Sequence, residues 1–185
     1  MLLAGVAITA LSGAVIGLLT YLADDQMLRN LSLWQMGTLA AGKPADVALA
    51  LLTLAALLWL FMRDANPLNA LLLGEGEARH LGVNVQSLKR RLILLTAAGV
   101  GVAVAVSGMI GFVGLVVPHL VRLLAGPNHV RLLPLSALLG AALLLAADML
   151  ARTLLAPAEL PVGIITALLG APFFIWLLVK GRRAL

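Results

Sequence analysis

Uncharged apolar runs long enough to cross a lipid bilayer recur along this chain. A helix needs about 20 apolar residues to span the hydrocarbon core, and residues 1–23 contain no charged side chain at all. Residues 47–62 and 160–179 form two more such runs, and residues 132–155 form another that contains Asp148 and Arg152. The pattern predicts an all-α, polytopic membrane protein.

The run from residue 92 to 121 does not match the length of one membrane span or of two. Its 30 residues carry no charge apart from a proton that His119 could accept, so it is too long for one span and too short for two complete ones. Glycines and Pro118 punctuate it. We therefore expect one full helix to about Gly111, a tight reversal, and a short helix that returns to Arg122. Backbone of this kind is tolerated at membrane depth only where protein or a water-filled cavity surrounds it. The total is about five to six membrane helices, one of them short.

Two mixed segments separate the first runs. Residues 26–42 are too short and too mixed in character to span, and Trp34 among leucines predicts a short interfacial helix with its ring at headgroup depth. Residues 64–91 form the longest polar stretch. Pro67 and several glycines divide that stretch into short helices rather than one.

The basic residues define an orientation. If the helices alternate in direction, ten Lys and Arg residues fall on one side and only Arg29, Lys43 and Arg152 on the other. An excess of Lys and Arg marks the cytoplasmic side of a membrane protein. We therefore expect residues 64–91 and 122–131 to be cytoplasmic and residues 24–46 to face outward.

Composition supports lipid as the solvent and narrows the function. Hydrophobic residues make up 62% of the 185-residue chain and charged residues 11%, against about half and about a quarter in soluble domains. The net charge of +5 could indicate nucleic-acid binding, but the basic residues occur in short bursts between apolar runs, which is typical of loop anchoring. No cysteine is present, so disulfides and thiolate metal sites are excluded within this sequence.

A phosphate-binding loop is absent despite a partial match. Residues 37–43 fit its first seven positions, but the eighth must be Ser or Thr to bind Mg²⁺, and here it is Pro44. No strand is expected before it, and the topology places it outside the cell. If ATP drives this protein, a separate subunit must hydrolyse it.

The cytoplasmic stretch from Leu71 to Val83 mixes an apolar ridge with charges. One interpretation is a solvated connector that contains an amphipathic helix. The other is a docking helix that inserts leucines into a groove of a cytoplasmic partner. Glu77-Ala78 followed by Gly82 matches a short Glu-Ala…Gly signature of importer coupling loops, which is weak alone.

Two ionisable groups lie within the run from residue 132 to 155. Asp148 and Arg152 are four residues apart, so on a helix they share a face and can pair. Ionisable groups in a span are costly and point to function by default, although a purely structural pair is an equal alternative. His119 and His129 could hold a metal, but no carboxylate is near either, so we expect none. An intramembrane enzyme would need a nucleophile, acid or metal-ligand set that the sequence does not offer, and a scaffold with lipid-binding basic loops is the other rival function.

Several motifs in their order along the chain resemble the FecCD-type permease family of binding-protein-dependent importers, which includes the haem and cobalamin permeases. The resemblance covers essentially the whole sequence. It rests on residues 3–7, 34–37, 73–83, 111–122, 133–134, 140–141, 147–148, 151–152, 159–163 and 170–173. The conspicuous positions in the last motifs, expected to be structural, are Gly111, Gly114, Pro118, His119, Arg122, Pro161, Gly163, Gly170 and Pro172.

The resemblance implies a transporter rather than an enzyme. Such permeases are homodimers in the inner (plasma) membrane, are driven by two cytoplasmic ATPase subunits, and receive the chelate from an external binding protein. On this comparison Arg152 resembles a rim arginine that meets glutamates of the binding protein, with Asp148 orienting it. The first and last spans and the helix around Trp34 resemble elements that line the translocation path. The residues implied to seat the ATPase are Leu72, Leu73, Gly74, Glu77, Ala78, Arg79, Leu81 and Gly82.

The chain departs from the family in its extent. It is expected to be a single permease segment corresponding to the C-terminal half, since family members have about twice as many spans. We expect this segment alone neither to transport nor to form a normal dimer. No cofactor is expected. Ferric siderophore, haem and cobalamin permeases share these motifs, so the substrate stays open, with haem or another iron chelate favoured; a truncated or non-transporting remnant is the alternative.

Overall fold

Helices account for nearly all of the described backbone. The computed structural model describes residues 2–39, 42–154 and 160–182. Within those ranges the elements, in chain order, are α1 Leu2–Tyr21, α2 Asp25–Met36, α3 Pro44–Arg63, α4 Ala65–Leu71, α5 Glu75–His80, α6 Val85–Ser107, α7 Val113–Ala125, α8 His129–Leu154 and α9 Val162–Arg182.

Helices α1, α3, α6 and α8 are each long and apolar enough to cross a membrane, and α7 and α9 contain shorter apolar stretches. This agrees with the prediction of about five to six membrane helices that include one short helix. The chain is thus a multi-pass helical membrane protein.

Side-chain caps decide where several helices begin. The Asp24 carboxylate accepts a hydrogen bond from the Met27 amide at 2.7 Å and starts α2. The Asn84 side chain accepts one from the Ser87 amide at 3.1 Å and starts α6. Such caps satisfy amides that the first helical turn leaves unpaired. Because of the Asn84 cap, α6 begins at Val85, seven residues before the start of the apolar run at residue 92. The first turns of α6 therefore carry Lys89 and the two basic residues that follow it.

The buried core lies along α8. Toward its N-terminus, Leu132 packs with Val117 and Val121 of α7. Toward its C-terminus, Ala147 and Ala151 pack with α9. Helix α1, in contrast, is exposed along nearly its whole described length, as expected for a surface that lipid or another helix covers.

The reversal between α6 and α7 comes slightly earlier than the sequence predicts. Helix α6 ends at Ser107, and Gly108 follows with φ of 72°, whereas the pattern placed the end near Gly111. Phe112 precedes α7 with φ of 66° and is the only non-glycine residue with positive φ among those described. Glycine tolerates this backbone region and phenylalanine does not, so the turn at Phe112 must be held by its surroundings.

Candidate functional site

The coupling segment, defined as residues 65–84, joins α3 to α6 on the predicted cytoplasmic side. It consists of α4, a turn through Gly74, α5, and a second turn through Gly82. At the second turn the Gly82 amide donates to the Arg79 carbonyl at 2.9 Å, and the Val83 amide donates to the Ala78 carbonyl at 3.0 Å. Gly82 has φ of 81°, the conformation that this type of helix end requires.

This geometry explains the spacing in the Glu-Ala…Gly motif. Ala78 is fully buried, so a larger side chain would not fit under α5. Gly82 closes the helix one turn later with a backbone conformation that suits glycine. The motif therefore encodes a short, sharply ended helix, and any exposed apolar surface here is formed by other residues.

An apolar ridge provides such a surface. Leu72, Leu73 and Leu81 are 50%, 67% and 63% exposed, and they flank α5 on both sides. Glu77 and Arg79 are also exposed. All eight residues that the resemblance implied for ATPase docking thus lie on this one short stretch, seven of them exposed and Ala78 buried beneath them.

Ion pairs of Glu75 connect the coupling segment to α6. Glu75 is bonded to Lys89 in the second turn of α6, and Arg79 lies 3.8 Å from the same carboxylate. The hydrogen bond and the charge of Lys89 lower the pKa of Glu75 from its ordinary value of 4.5. Glu75 therefore ties α5 to α6 while leaving the leucine ridge open. Sequence reasoning did not select Glu75, because its partner lies 14 residues away.

A second pair fixes the boundary between α3 and α4. The Asp64 carboxylate is buried and accepts a hydrogen bond from Arg91 of α6. Its other oxygen, Oδ2, is buried and has no hydrogen-bond partner among the described residues. Removing Arg91 would leave a buried carboxylate without its opposite charge, which is costly.

A third contact joins α4 to the start of α8. The Asn69 side-chain oxygen accepts hydrogen bonds from the His129 amide at 2.7 Å and from the His129 ring Nδ1 at 3.0 Å. The Asn69 side-chain nitrogen donates to the Asn128 Oδ1 at 2.9 Å. We call these three residues the amide cluster. His129, considered above as a metal ligand, is thus engaged by an asparagine.

Three glycines bring backbones together at the opposite end of the molecule. Gly37 follows α2, Gly108 follows α6, and Gly163 lies in the first turn of α9. The Trp34 carbonyl accepts from the Met109 amide at 3.3 Å, and the Thr38 amide donates to the Ser107 carbonyl at 2.9 Å. A Cβ on any of the three glycines would come closer than 3.0 Å to a neighbouring backbone oxygen. We call this contact the glycine junction.

The glycine junction joins segments that the charge pattern placed on one side. The turn after α2, the α6–α7 reversal and the start of α9 were all expected to face outward. The amide cluster likewise joins α4 to the α7–α8 turn, both expected to be cytoplasmic. The alternation of the spans is therefore self-consistent, and which side is cytoplasmic stays a prediction.

The C-terminal end of α8, which is predicted to face outward, carries the ion pair expected from the sequence. The Arg152 Nε donates to the Asp148 Oδ2 at 2.8 Å. The Arg152 side chain is 46% exposed and the Asp148 side chain 17% exposed, so the carboxylate holds a guanidinium that reaches the surface. Glu159, which opens the neighbouring motif, lies outside the described residues.

The remaining motif residues have varied surroundings. Among the residues that the structure describes, none lies within 4 Å of where a Cβ on Gly111 or Gly114 would be, and the structural role expected of both stays a prediction. Gly170 is a close-packing glycine, since a Cβ there would lie 2.7 Å from the Phe112 Cγ. His119 makes an edge contact with Phe173, with ring centroids 6.4 Å apart. Pro118 and Pro172 lie inside α7 and α9, Pro161 directly precedes α9, and Arg122 lies exposed in the last turn of α7.

Sequence reasoning missed the amide cluster and the Asp64–Arg91 pair. Both join residues 27 to 60 positions apart, and no periodicity links such positions. The asparagines could have indicated that such contacts exist, because asparagines beside the end of an apolar helix need hydrogen-bond partners.

Comparison with known proteins places these features in a family. The sequence model of the FecCD transport family matches residues 1–180. The hemin transport system permease protein HmuU of Yersinia pestis is 54% identical over 183 residues, covering 99% of this chain and 55% of that protein. The vitamin B12 import system permease protein BtuC of Vibrio cholerae is 48% identical over 182 residues, covering 98% and 55%.

A solved structure agrees with the fold. A metal-chelate type ABC transporter in an inward-facing conformation superposes with a TM-score of 0.88 at 38% identity, covering 95% of this chain and 57% of that one. The chain spans about half the length of the curated relatives it matches. It belongs to the FecCD transport family.

Proposed function

We propose that this chain forms part of the permease subunit of a binding-protein-dependent ABC importer in the inner (plasma) membrane. Its cargo is an iron chelate, such as haem or a ferric siderophore, or cobalamin. A separate cytoplasmic subunit hydrolyses ATP, an external binding protein delivers the cargo, and the complete permease is a homodimer. The chain contributes spans, a docking segment and a rim rather than chemistry of its own.

The exposed leucine ridge of the coupling segment is the observation that carries this proposal. Leu72, Leu73 and Leu81 are exposed on a segment in which Glu75 already pairs with Arg79 and with Lys89 of α6. Burying one leucine side chain is worth about 1.5–3 kcal/mol. A groove on an ATPase subunit would gain this energy from a preformed helix, as in other helix-in-groove interfaces.

The names of the relatives support both the proposed transport function and the proposed range of cargo. They include permeases named for hemin transport and for vitamin B12 import, and the similar solved structure is of a metal-chelate type ABC transporter. Haem is the cargo we favour, because the hemin permease of Yersinia pestis shares 54% identity and the Vibrio cholerae vitamin B12 permease 48%.

The proposed transport cycle uses docking energy that differs between nucleotide states. When the ATPase subunits close on ATP, they shift the coupling segment, and its ties to α6 and α8 tilt those spans. A ligand or partner shifts a conformational equilibrium only by its differential affinity for the two states. The ridge must therefore bind the ATPase more tightly in one nucleotide state than in the other.

Site-directed crosslinking tests the docking step. These 185 residues contain no cysteine, so a cysteine placed at Leu73, which is 67% exposed, is the single reactive site within them, and any cysteine elsewhere in the assembly is replaced first. A cysteine at Leu22, 71% exposed at the predicted outer end of α1, is the matched control. In the assembled transporter we expect Leu73→Cys to crosslink to the ATPase and Leu22→Cys not to. Crosslinking from Leu22 but not from Leu73 would overturn the proposal.

Uptake measurements separate the cargo classes. The complete transporter, reconstituted with its ATPase in vesicles, is supplied with binding protein loaded with haem, a ferric siderophore or cobalamin. ATP-dependent accumulation of haem is expected. Accumulation of cobalamin alone would replace the iron-chelate assignment, and the absence of ATP-dependent accumulation of all three would refute the importer function.

A further inference from the structure

We infer that Asn69 is a positioning residue that joins the coupling segment to α8, so that one helix links the ATPase-docking surface to the outer rim. This inference rests on the proposed function and adds a specific route for the coupling within it. It assigns a task to the amide cluster, which neither the motifs nor the relatives' names identify.

The amide cluster is a helix cap supplied from a distant element. The first amides of a helix have no partner inside it, and a nearby side chain usually satisfies them. Helices α2 and α6 follow this rule, since Asp24 and Asn84 each accept a hydrogen bond from an amide three residues later. At α8 the His129 amide instead donates to Asn69, which lies 60 positions earlier in α4.

A local residue completes the cluster and fixes the direction of Asn69. The Asn128 Oδ1 accepts hydrogen bonds from the Val130 amide at 3.0 Å and from the Asn69 Nδ2 at 2.9 Å. Both halves of the Asn69 amide are thereby used, the oxygen toward His129 and the nitrogen toward Asn128. Movement of α4 away from α8 would break all three hydrogen bonds of Asn69 together.

Helix α8 extends from this cap to the predicted rim. Its 26 residues correspond to about 39 Å at 1.5 Å per residue. Leu132 is clamped against α7 near one end, and Ala147 and Ala151 are packed against α9 near the other. The Asp148–Arg152 pair lies in the last two turns. A displacement at the capped end is therefore carried to the rim by a packed helix rather than absorbed in a loop.

A competing route begins at the same short helix. The Asp64–Arg91 pair ties the start of α4 to α6, and α6 ends at the glycine junction rather than at Arg152. If that pair carried the movement, removing Asn69 would leave communication with the binding protein intact. The two routes thus make opposite predictions for one substitution.

Thermodynamic linkage between ATP-driven closure and binding-protein docking determines what loss of the amide cluster should change. If ATP-driven closure and binding-protein docking are coupled through α8, each changes the affinity of the other by the same factor. Loss of the amide cluster should reduce that factor without abolishing either activity. Basal ATP hydrolysis and assembly, which depend on the leucine ridge, should stay close to their normal values.

The test uses the complete transporter with three variants. Asn69→Leu removes every hydrogen bond of Asn69, and Asn69→Asp keeps the acceptor for the His129 amide. Asn66→Leu changes an exposed asparagine of the same helix that lies outside the cluster. Each complex is assayed for assembly, for basal ATP hydrolysis, for its stimulation by binding protein, and for binding-protein affinity with and without ATP analogue.

We expect Asn69→Leu to lower the nucleotide-dependent change in binding-protein affinity by about tenfold, within the usual range of coupling energies. Asn69→Asp should fall between wild type and Asn69→Leu, and Asn66→Leu should match wild type. Equal coupling in Asn69→Leu and Asn66→Leu would overturn the inference. Absence of binding-protein stimulation in the wild-type complex would overturn the proposed function itself, which separates the two failures.

A second variant covers the case in which Asn69→Leu does not assemble. Asn128 is exposed, and Asn128→Ala removes only its bonds to Asn69 and to the Val130 amide. A loss of coupling with normal assembly and basal hydrolysis is expected for this variant as well. Wild-type coupling in Asn128→Ala would then refute the route through the cluster.

Discussion

Replacing Gly163 by alanine tests the glycine junction with one methyl group. The new Cβ would lie well under 3.0 Å from the Met36 carbonyl oxygen and 3.3 Å from that of Met109. Carbon–oxygen contacts settle at about 3.3–3.6 Å, so α9 must move away from the end of α2 by a distance on the order of 1 Å. Overpacking of this kind costs about 1–3 kcal/mol, partly offset by at most about 1 kcal/mol gained from replacing glycine within a helix.

Thermal unfolding of the detergent-solubilised protein measures this cost. The middle of the overpacking range, about 2 kcal/mol, leaves about 1–2 kcal/mol after the glycine offset. For a chain of this size each kcal/mol shifts Tm by about 2–4 °C, so Gly163→Ala should lower Tm by roughly 2–8 °C. Gly114→Ala is the matched control, because Gly114 is also the second residue of its helix and has open space around it. Its Tm should stay the same or rise slightly. Equal Tm values for the two variants would refute the close backbone contact at the glycine junction.

Three further predictions concern charged groups. Arg152→Glu should weaken binding-protein affinity about tenfold or more by placing like charge opposite an acidic partner; unchanged affinity in a binding titration would count against a docking role. Lys89→Gln should return the pKa of Glu75 toward 4.5, as measured by NMR titration of the labelled carboxyl, and an unmoved pKa would contradict the pairing. Because the wild-type pKa is lowered, the contribution of this ion pair to folding stability is complete above pH 4.5 and is lost as pH falls through the folded-state pKa. Arg91→Leu should lower the free energy of unfolding by about 1–3 kcal/mol, a value reduced because the arginine is half-exposed. Adding Asp64→Asn should recover part of that loss, and a further loss of stability in the double variant on denaturant unfolding would contradict a charge effect.

The helices themselves could be predicted from the sequence because lipid imposes a simple rule. A run of about 20 apolar residues must be helical in a bilayer, since every backbone group needs an internal partner. That rule located α1, α3, α8 and α9 and the α6–α7 reversal. The pairing of Asp148 with Arg152 was equally accessible, because both lie on one helix at a spacing of four.

Contacts between helices were not accessible in this way. The approach of Gly163 to Met36 spans 127 positions of the chain, and no local pattern reports which glycines face a neighbour. Gly111 and Gly114 share the family motif but have open surroundings, whereas Gly108 and Gly163 meet backbone. For the same reason the partners of Asn69 and Asp64 could be found only in three dimensions.

The conformation of Phe112 has a consequence for biogenesis. Phe112 has a positive φ, and its side chain packs against Gly170, a residue 58 positions later that the ribosome adds about 3–12 s afterwards. Until α9 enters the membrane, nothing in that helix braces the reversal, so the hairpin of α6 and α7 should sample alternative turns while translation continues. Helix α9 therefore fixes the α6–α7 reversal only after α6 and α7 have been inserted. Premature termination before α9 should leave a nascent chain that quality-control proteases recognise.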